Sequence, residues 1–323
     1  MKAIDVSRYM NREQIEVEVE VLTPMFLGGA DGNAELRSAP FKAAIRYWWR
    51  ILYGGDNLRP REDAIFGSTD AASNVSVAVK GDVRTIPDRP PKGKMFKAQS
   101  KGKSFPISII DYLCYGLYSY EKGKGNVYNK SHIQSGSRFS ITVGTRKEYE
   151  QEVTNSLKAM LQYGGFGARS RNGMGSVHTS YADDFAITSF FNGTEKPFTS
   201  ANKKARLFQT GKTFNDTIDA LSEIGILYKD ARNNLEKKHS FVRRGYVSRP
   251  IEVKFESIPE NIKTGRHPKS YFLSIRKKEG RFQGQILYLP FTFYEAGGAN
   301  EYLRAYDEMN SFLLKSGTME EIK

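Results

Sequence analysis

One cysteine and four histidines are all the soft-metal and thiol chemistry this 323-residue chain holds. Cys114 has no partner for an internal disulfide, and His132, His178, His239 and His267 stand 28 to 61 positions apart, far from any zinc-ligand spacing. Long apolar runs are also lacking. The most apolar stretch, 105 to 120, contains Asp111 and falls short of the ~20 residues that cross a bilayer. Residues 1 to 20 carry mixed charge and no apolar core of the kind a secretory signal needs. These absences exclude a stapled scaffold and a membrane protein, and lead us to expect a cytoplasmic chain with no metal and no cofactor.

What is abundant is positive charge. Against 36 Asp and Glu stand 49 Lys and Arg, a net charge of +13, while 39% hydrophobic content excludes disorder. At roughly 150 residues per domain the length predicts two domains, which we place at 1–183 and 184–323. A positive excess favours polyanions or merely keeps a protein soluble. Its location decides which.

The segment IEVEVEVL (15–22) alternates apolar and acidic side chains and predicts a half-buried strand with an acidic outer face. A helix follows at 39–53 with Ser38 as N-cap and Pro40 in its first turn. NVSVAVK (74–80) and SRFSITVG (137–144) read as strands, 146–163 as a helix and 175–181 as a further strand. Between them, 84–103 carries seven Lys and Arg against one Asp and reads as a basic loop, and 105–120 as a helix. Setting the insertions aside, the order strand, helix, strand, strand, helix, strand is that of a split βαβ unit: an α+β, ferredoxin-like domain with an antiparallel sheet, helices on one face and the other face open. In the second half, 185–191 reads as a strand, 213–228 as a helix, 270–276 with 281–289 as a hairpin and 299–314 as a closing helix. This suggests a degenerate second copy without a convincing fourth strand.

Two constellations stand out. On the helix at 39–53, Phe41, Ile45, Trp48 and Leu52 share one face while Lys42, Arg46 and Arg50 recur every four residues beside it, with Trp49 at the seam. Most such stripes are solvated surface. Here no acid lies between Leu36 and Leu52 to pair with them, and three unpaired cations beside an aromatic suit a phosphodiester backbone, with Trp49 stacking on a base or buttressing it. Arg37 is a weaker candidate. The second constellation, GGFGARSRNGMG (164–175), has five glycines in twelve residues. Gly165 and Gly167 would expose amides to phosphate, and Arg169 and Arg171 would add charge. Walker and dinucleotide fingerprints do not fit, since the run follows a helix and lacks a terminal Gly-Lys-Ser/Thr.

Catalytic arrangements are thin. Asp183-Asp184 reads as surface. His132, flanked by Lys130 and Ser131, could serve as a general base in metal-independent RNA cleavage. His267 beside Lys269 fits a phosphate contact better. Basic residues at Lys237, Lys238, His239, Arg243, Arg244 and Arg249 extend the cationic footprint.

Taken together, residues 22–50 (LTPMFLGGADGNAELRSAPFKAAIRYWWR) and 164–177 (GGFGARSRNGMGSV) resemble the RAMP superfamily and, within it, the first-subunit family of the Cmr complex, the type III-B CRISPR effector. The motifs cover about a seventh of the chain. One departure is Ala43, where the family often has glycine. The resemblance implies two ferredoxin-like, RRM-related domains, neighbouring RAMP subunits, guide RNA and target RNA as partners, and a role in capturing target RNA near the 3′ part of the guide. It implies no catalytic residue. The alternative, from related RAMP proteins, is a metal-independent endoribonuclease that processes precursor guide RNA, its cleavage abolished by substituting His132 or another histidine.

Overall fold

The computed structural model describes residues 11–29, 31–100, 102–236, 242–249, 251, 266–291 and 301–323. The basic run Lys237, Lys238 and His239 lies outside them.

Alternation in the first strand does what its pattern predicts. Along β1 (Arg12–Val21) the side chains of Val17, Val19 and Val21 are buried while Glu16 and Glu18 are exposed. Three more strands complete a sheet: β2 (Ser76–Lys80), β3 (Arg138–Arg146) and β4 (Val177–His178), in the order β4-β1-β3-β2 with every neighbour antiparallel. Its inner face packs on α1 (Ser38–Tyr53), and on α3 (Glu150–Ala159), which follows α2 (Leu58–Phe66) in the chain. The helix expected at 39–53 thus forms almost to the residue. Its N-cap is Arg37, with no side-chain cap bond, and Ser38 is its first helical residue.

The second half repeats the plan. Strands β5 (Arg206–Thr210), β6 (Tyr271–Lys278), β7 (Arg281–Tyr288) and β8 (Met319–Ile322) lie in the order β6-β7-β5-β8, again all antiparallel, covered by α4 (Thr217–Asn234) and α5 (Glu301–Lys315). The missing fourth strand therefore exists. Its four residues MEEI carry too little alternation to be seen in sequence, and pairing with β5 supplies the order.

Other expectations need correcting. Residues 185–191 form a 3-10 turn (Ile187–Phe190) rather than a strand, because Phe185, Phe190 and Phe191 pack onto the first core instead of alternating across a sheet. The helix expected at 105–120 is one short turn, Ile109–Leu113, capped by the Ser108 hydroxyl at 3.2 Å from the Ile110 amide and followed by Gly116 at φ 90°. Residues 103–108 instead pair with 95–100 as a hairpin, which structures half of the supposed basic loop. The helix at 146–163 is divided into a 3-10 turn, α3 and a π turn (Met160–Gly164). The last strand of the first half shrinks to Val177–His178.

The last strand of the first sheet ends at His178 and the first strand of the second begins at Arg206, while the cores interleave. Leu22, Phe26, Leu113 and Met174 belong to the second core, and Leu207, Phe272 and Leu287 belong to the first.

Candidate nucleic-acid interface

Between β1 and α1 the chain runs through Pro24–Leu27, and the glycine-rich loop lies flat against it. Ala168 donates its amide to the Phe26 carbonyl at 2.9 Å, Gly175 to the Pro24 carbonyl at 2.9 Å, and the Thr23 hydroxyl donates to the Gly173 carbonyl at 2.7 Å. Gly165, Gly167, Gly173 and Gly175 all have positive φ, and a Cβ on Gly167 would strike the Phe26 carbonyl. The glycines are thus demanded by backbone packed on backbone. Among the described residues the amides of Gly167, Arg169, Ser170 and Arg171 meet no acceptor, and Arg169 itself sits at φ 63°. Consecutive free amides around a left-handed residue make a concavity suited to an anion.

The loop and α1 meet. Gly164 lies against the Trp48 indole, and the Arg171 guanidinium bonds the Tyr47 hydroxyl and the Lys269 carbonyl, each at 2.7 Å, while stacking 4.7 Å from the Phe272 ring. A cleft of about 370 Å³ runs between them, lined by Ala43, Tyr47, Gly165, Gly167 and Arg171. At Ala43 it adjoins a larger cleft of about 970 Å³, which carries Lys42, Arg46, Arg50 and Arg59. At Ser170 and Arg171 it adjoins one of about 600 Å³ with Arg169, Arg249, His267 and Lys269. The three form one trough across the domain junction.

Within that trough the expected residues fare differently. Lys42 and Arg169 have no acidic partner among the described residues. Burial first, then the nearby Arg46 charge, lower the pKa of Lys42. Arg37 is exposed at the helix entry. Arg46 and Arg50 are not the free cations their sequence neighbourhood predicts. Both bond Glu62 of α2, Arg50 through a fork with the Nε arm at 2.8 Å, and Arg46 also reaches Asp63 at 3.6 Å. The acid arrives from 12 and 16 positions downstream, beyond the i,i+4 window. The Glu62 side chain is 3% exposed. Its burial would raise the carboxyl, but hydrogen bonds from Arg50 and Arg46 outweigh that and hold it below its usual range.

Trp49 cannot stack on a base: it is fully buried, and its indole donates to Glu152 at 2.8 Å. With its ring against Phe66, it anchors α1 to α2 and α3. His132 is likewise buried at 2% exposure, its Nδ1 without a partner, and desolvation lowers its pKa to about 4. Burial keeps the His132 imidazole out of contact with solvent. His267 faces two carbonyls, Gly245 at 2.6 Å and Pro268 at 3.2 Å. Asp184 is a surface acid paired with Lys158 at 2.7 Å. Among the described residues no cluster of three His, Cys, Asp or Glu side chains could hold a metal, and no helix is long and apolar enough to cross a membrane.

Sequence reasoning missed Glu62 and Tyr47, which act through tertiary pairing.

Comparison with known proteins places these features in a family context. Residues 18–178 match the RAMP superfamily model. The Cmr subunit Cmr1-2 of Pyrococcus furiosus is 32% identical over 177 residues, which cover 50% of this chain and 91% of that protein. Cmr1-1 of the same organism is 29% identical over 196 residues, and the match spans 54% of its length. The crystal structure of apo Cmr1 from Pyrococcus furiosus aligns over 96% of this chain and 98% of its own, with a TM-score of 0.55 at 16% identity. A chain of the type III-B Cmr-beta complex bound to cognate target RNA aligns over 94% and 100%, with a TM-score of 0.55 at 14% identity.

Proposed function

The chain belongs to the RAMP superfamily and, within it, to the Cmr1 family of Cmr subunits, and from that premise we propose that it is a non-catalytic RNA-binding subunit of a type III-B CRISPR ribonucleoprotein. It helps capture target RNA near the 3′ part of the guide RNA and sits beside other RAMP subunits. The strand orders β4-β1-β3-β2 and β6-β7-β5-β8 support reading both halves as ferredoxin-like, RRM-related domains.

The observation that carries the reading is the trough. Its clefts join α1 to the glycine-loop tip through shared walls at Ala43 and Arg171, and bring Lys42, Arg169 and four free amides to one side of the molecule. The sheet face is a poor rival for RNA. Glu16 and Glu18 project from its outer side opposite Thr142 and Ser140, and a row of carboxylates repels phosphates. Contacts from a trough of cations and amides are to phosphates, so binding is sequence-tolerant and the guide reads sequence by pairing. The burial of His132 supports the non-catalytic assignment over guide-RNA processing.

Lys42 and Arg169 give the clean test, because neither holds a carboxylate in place. Replacing both with alanine weakens binding of single-stranded RNA by the purified full chain and lowers the slope of log K against log salt by roughly 1.4, about 0.7 per phosphate contact on a single strand. Unchanged affinity and slope would overturn the assignment. Cleavage of repeat RNA by the purified chain would overturn its non-catalytic part.

A further inference from the structure

Lysines of this chain differ in what their amines do. Lys94 and Lys212 pair with Glu223, Lys158 with Asp184, Lys204 with Glu195 and Lys277 with Glu20, while Lys80 and Lys97 stand exposed. Lys42 belongs to neither group. It is half-buried in the wall of the large cleft, with Ala39 and Ala43 on either side along α1 and Arg46 one turn further on. Among the described residues it makes no ion pair and no hydrogen bond. Leaving water penalises the ammonium and not the amine, and the Arg46 charge adds repulsion, so the pKa of Lys42 is lowered. Lys269 is lowered too, but its Nζ is engaged by Asn172 Oδ1 at 2.7 Å and lies 4.1 Å from the centre of the Tyr228 ring.

An amine that is partly deprotonated, held by no carboxylate and open to a cleft is a nucleophile. The same cleft can gather an anion beside it. Arg46 and Arg50 are committed to Glu62, but Arg59, exposed at the start of α2, holds no carboxylate among the described residues. A guanidinium of that kind forks onto phosphate oxygens. At about 970 Å³ the space admits a small phosphorylated molecule.

We propose that Lys42 is a modification site, acylated directly by an acyl phosphate whose phosphate end is drawn into the cleft by Arg59. The unprotonated Nζ attacks the acyl carbon, and the bond from that carbon to the bridging oxygen breaks. Inorganic phosphate leaves with the electron pair, and the nitrogen gives up a proton to solvent. The product is a neutral amide, so one cation is removed from the wall of the trough. The modification itself is independent of the RNA-binding reading, and only its effect on RNA rests on that reading.

The experiment incubates the purified full chain with acetyl phosphate and, separately, with uncharged acetic anhydride, and follows each lysine by quantitative peptide mass spectrometry. With both reagents Lys42 should acetylate about threefold faster or more than the exposed Lys80 and Lys97. Arg59→Gln, shown by thermal melts to fold, should slow the acetyl phosphate reaction at Lys42 about tenfold, the size of one lost contact to a charged group, and leave the anhydride reaction unchanged. Rates at Lys42 no higher than at Lys80 with both reagents overturn the site. A preference for Lys42 with the anhydride alone, or an acetyl phosphate rate unaffected by Arg59→Gln, overturns the acyl phosphate and its capture by Arg59. The acetylated chain should also show a salt slope for single-stranded RNA lowered by about 0.7. Failure of the unmodified chain to bind RNA would overturn the RNA-binding reading and leave the reactivity of Lys42 standing.

Discussion

Arg171 donates to the Tyr47 hydroxyl at 2.7 Å across 124 positions of sequence, and through its other arm to the Lys269 carbonyl. One guanidinium thus ties α1, the glycine-rich loop and the approach to β6 together. Arg171→Ala is expected to lower unfolding stability by about 2–4 kcal/mol, since two charge-assisted bonds are lost. Arg171→Lys, which cannot fork, should recover only part of that. Urea titration of the three proteins distinguishes these outcomes, and equal midpoints would show that the tie carries no load.

Glu62 makes a second prediction. Replacing Arg46 and Arg50 together with alanine strands a buried carboxylate, at a cost of about 3 kcal/mol, and adding Glu62→Gln should restore most of it. The double change is therefore a stability probe before it is an RNA probe. Because the folded pKa of Glu62 lies below its unfolded value of 4.5, its contribution is present above pH 4.5 and is lost as the pH falls through the folded value. Glu62→Gln should flatten that part of an acid titration followed by circular dichroism.

His132 acts in the same sense at higher pH. Held neutral by burial with a folded pKa of about 4 against 6.5, it leaves the unfolded chain binding the extra proton between those limits. Stability therefore falls as pH drops from 6.5 towards 4, by about 3 kcal/mol in full. Urea midpoints across that range should decline in the parent and less so in His132→Leu. Identical slopes would mean that the imidazole charges freely in the fold.

At the loop tip two neighbouring changes should diverge. Gly167→Ala puts a methyl group into the Phe26 carbonyl at φ 82° and should cost more than 2 kcal/mol. Arg169→Gly relieves a left-handed residue at φ 63° and should leave stability unchanged or raised by up to ~1 kcal/mol, while the RNA salt slope falls by about 0.7. Parallel losses of stability in both would contradict the distinction between packing glycine and binding arginine.

Local patterns made the first sheet and α1 legible, because alternation in 15–22 and helical spacing in 39–53 report burial directly. The convergence of α1 with the glycine loop also follows from the motifs. Partners brought by the fold were invisible. Glu62 meets Arg46 and Arg50 only because α2 doubles back along α1, and Glu152 claims the Trp49 indole from 103 positions away. The same limit hid β8, whose pairing with β5 rests on backbone alone. The helix expected at 105–120 fails for another reason: Pro106 and Gly116 stand in the sequence as breakers, and the apolar run between them holds one helical turn.

Interleaved cores bear on how the trough behaves. With Phe26 and Met174 lodged among second-half side chains, and Phe272 and Leu287 among first-half ones, no hinge separates the sheets, and neither can swing without opening an oily seam to water. In the RNA-binding role proposed above, the walls that meet a strand would be set before it arrives, and the ordering would fall on the nucleic acid.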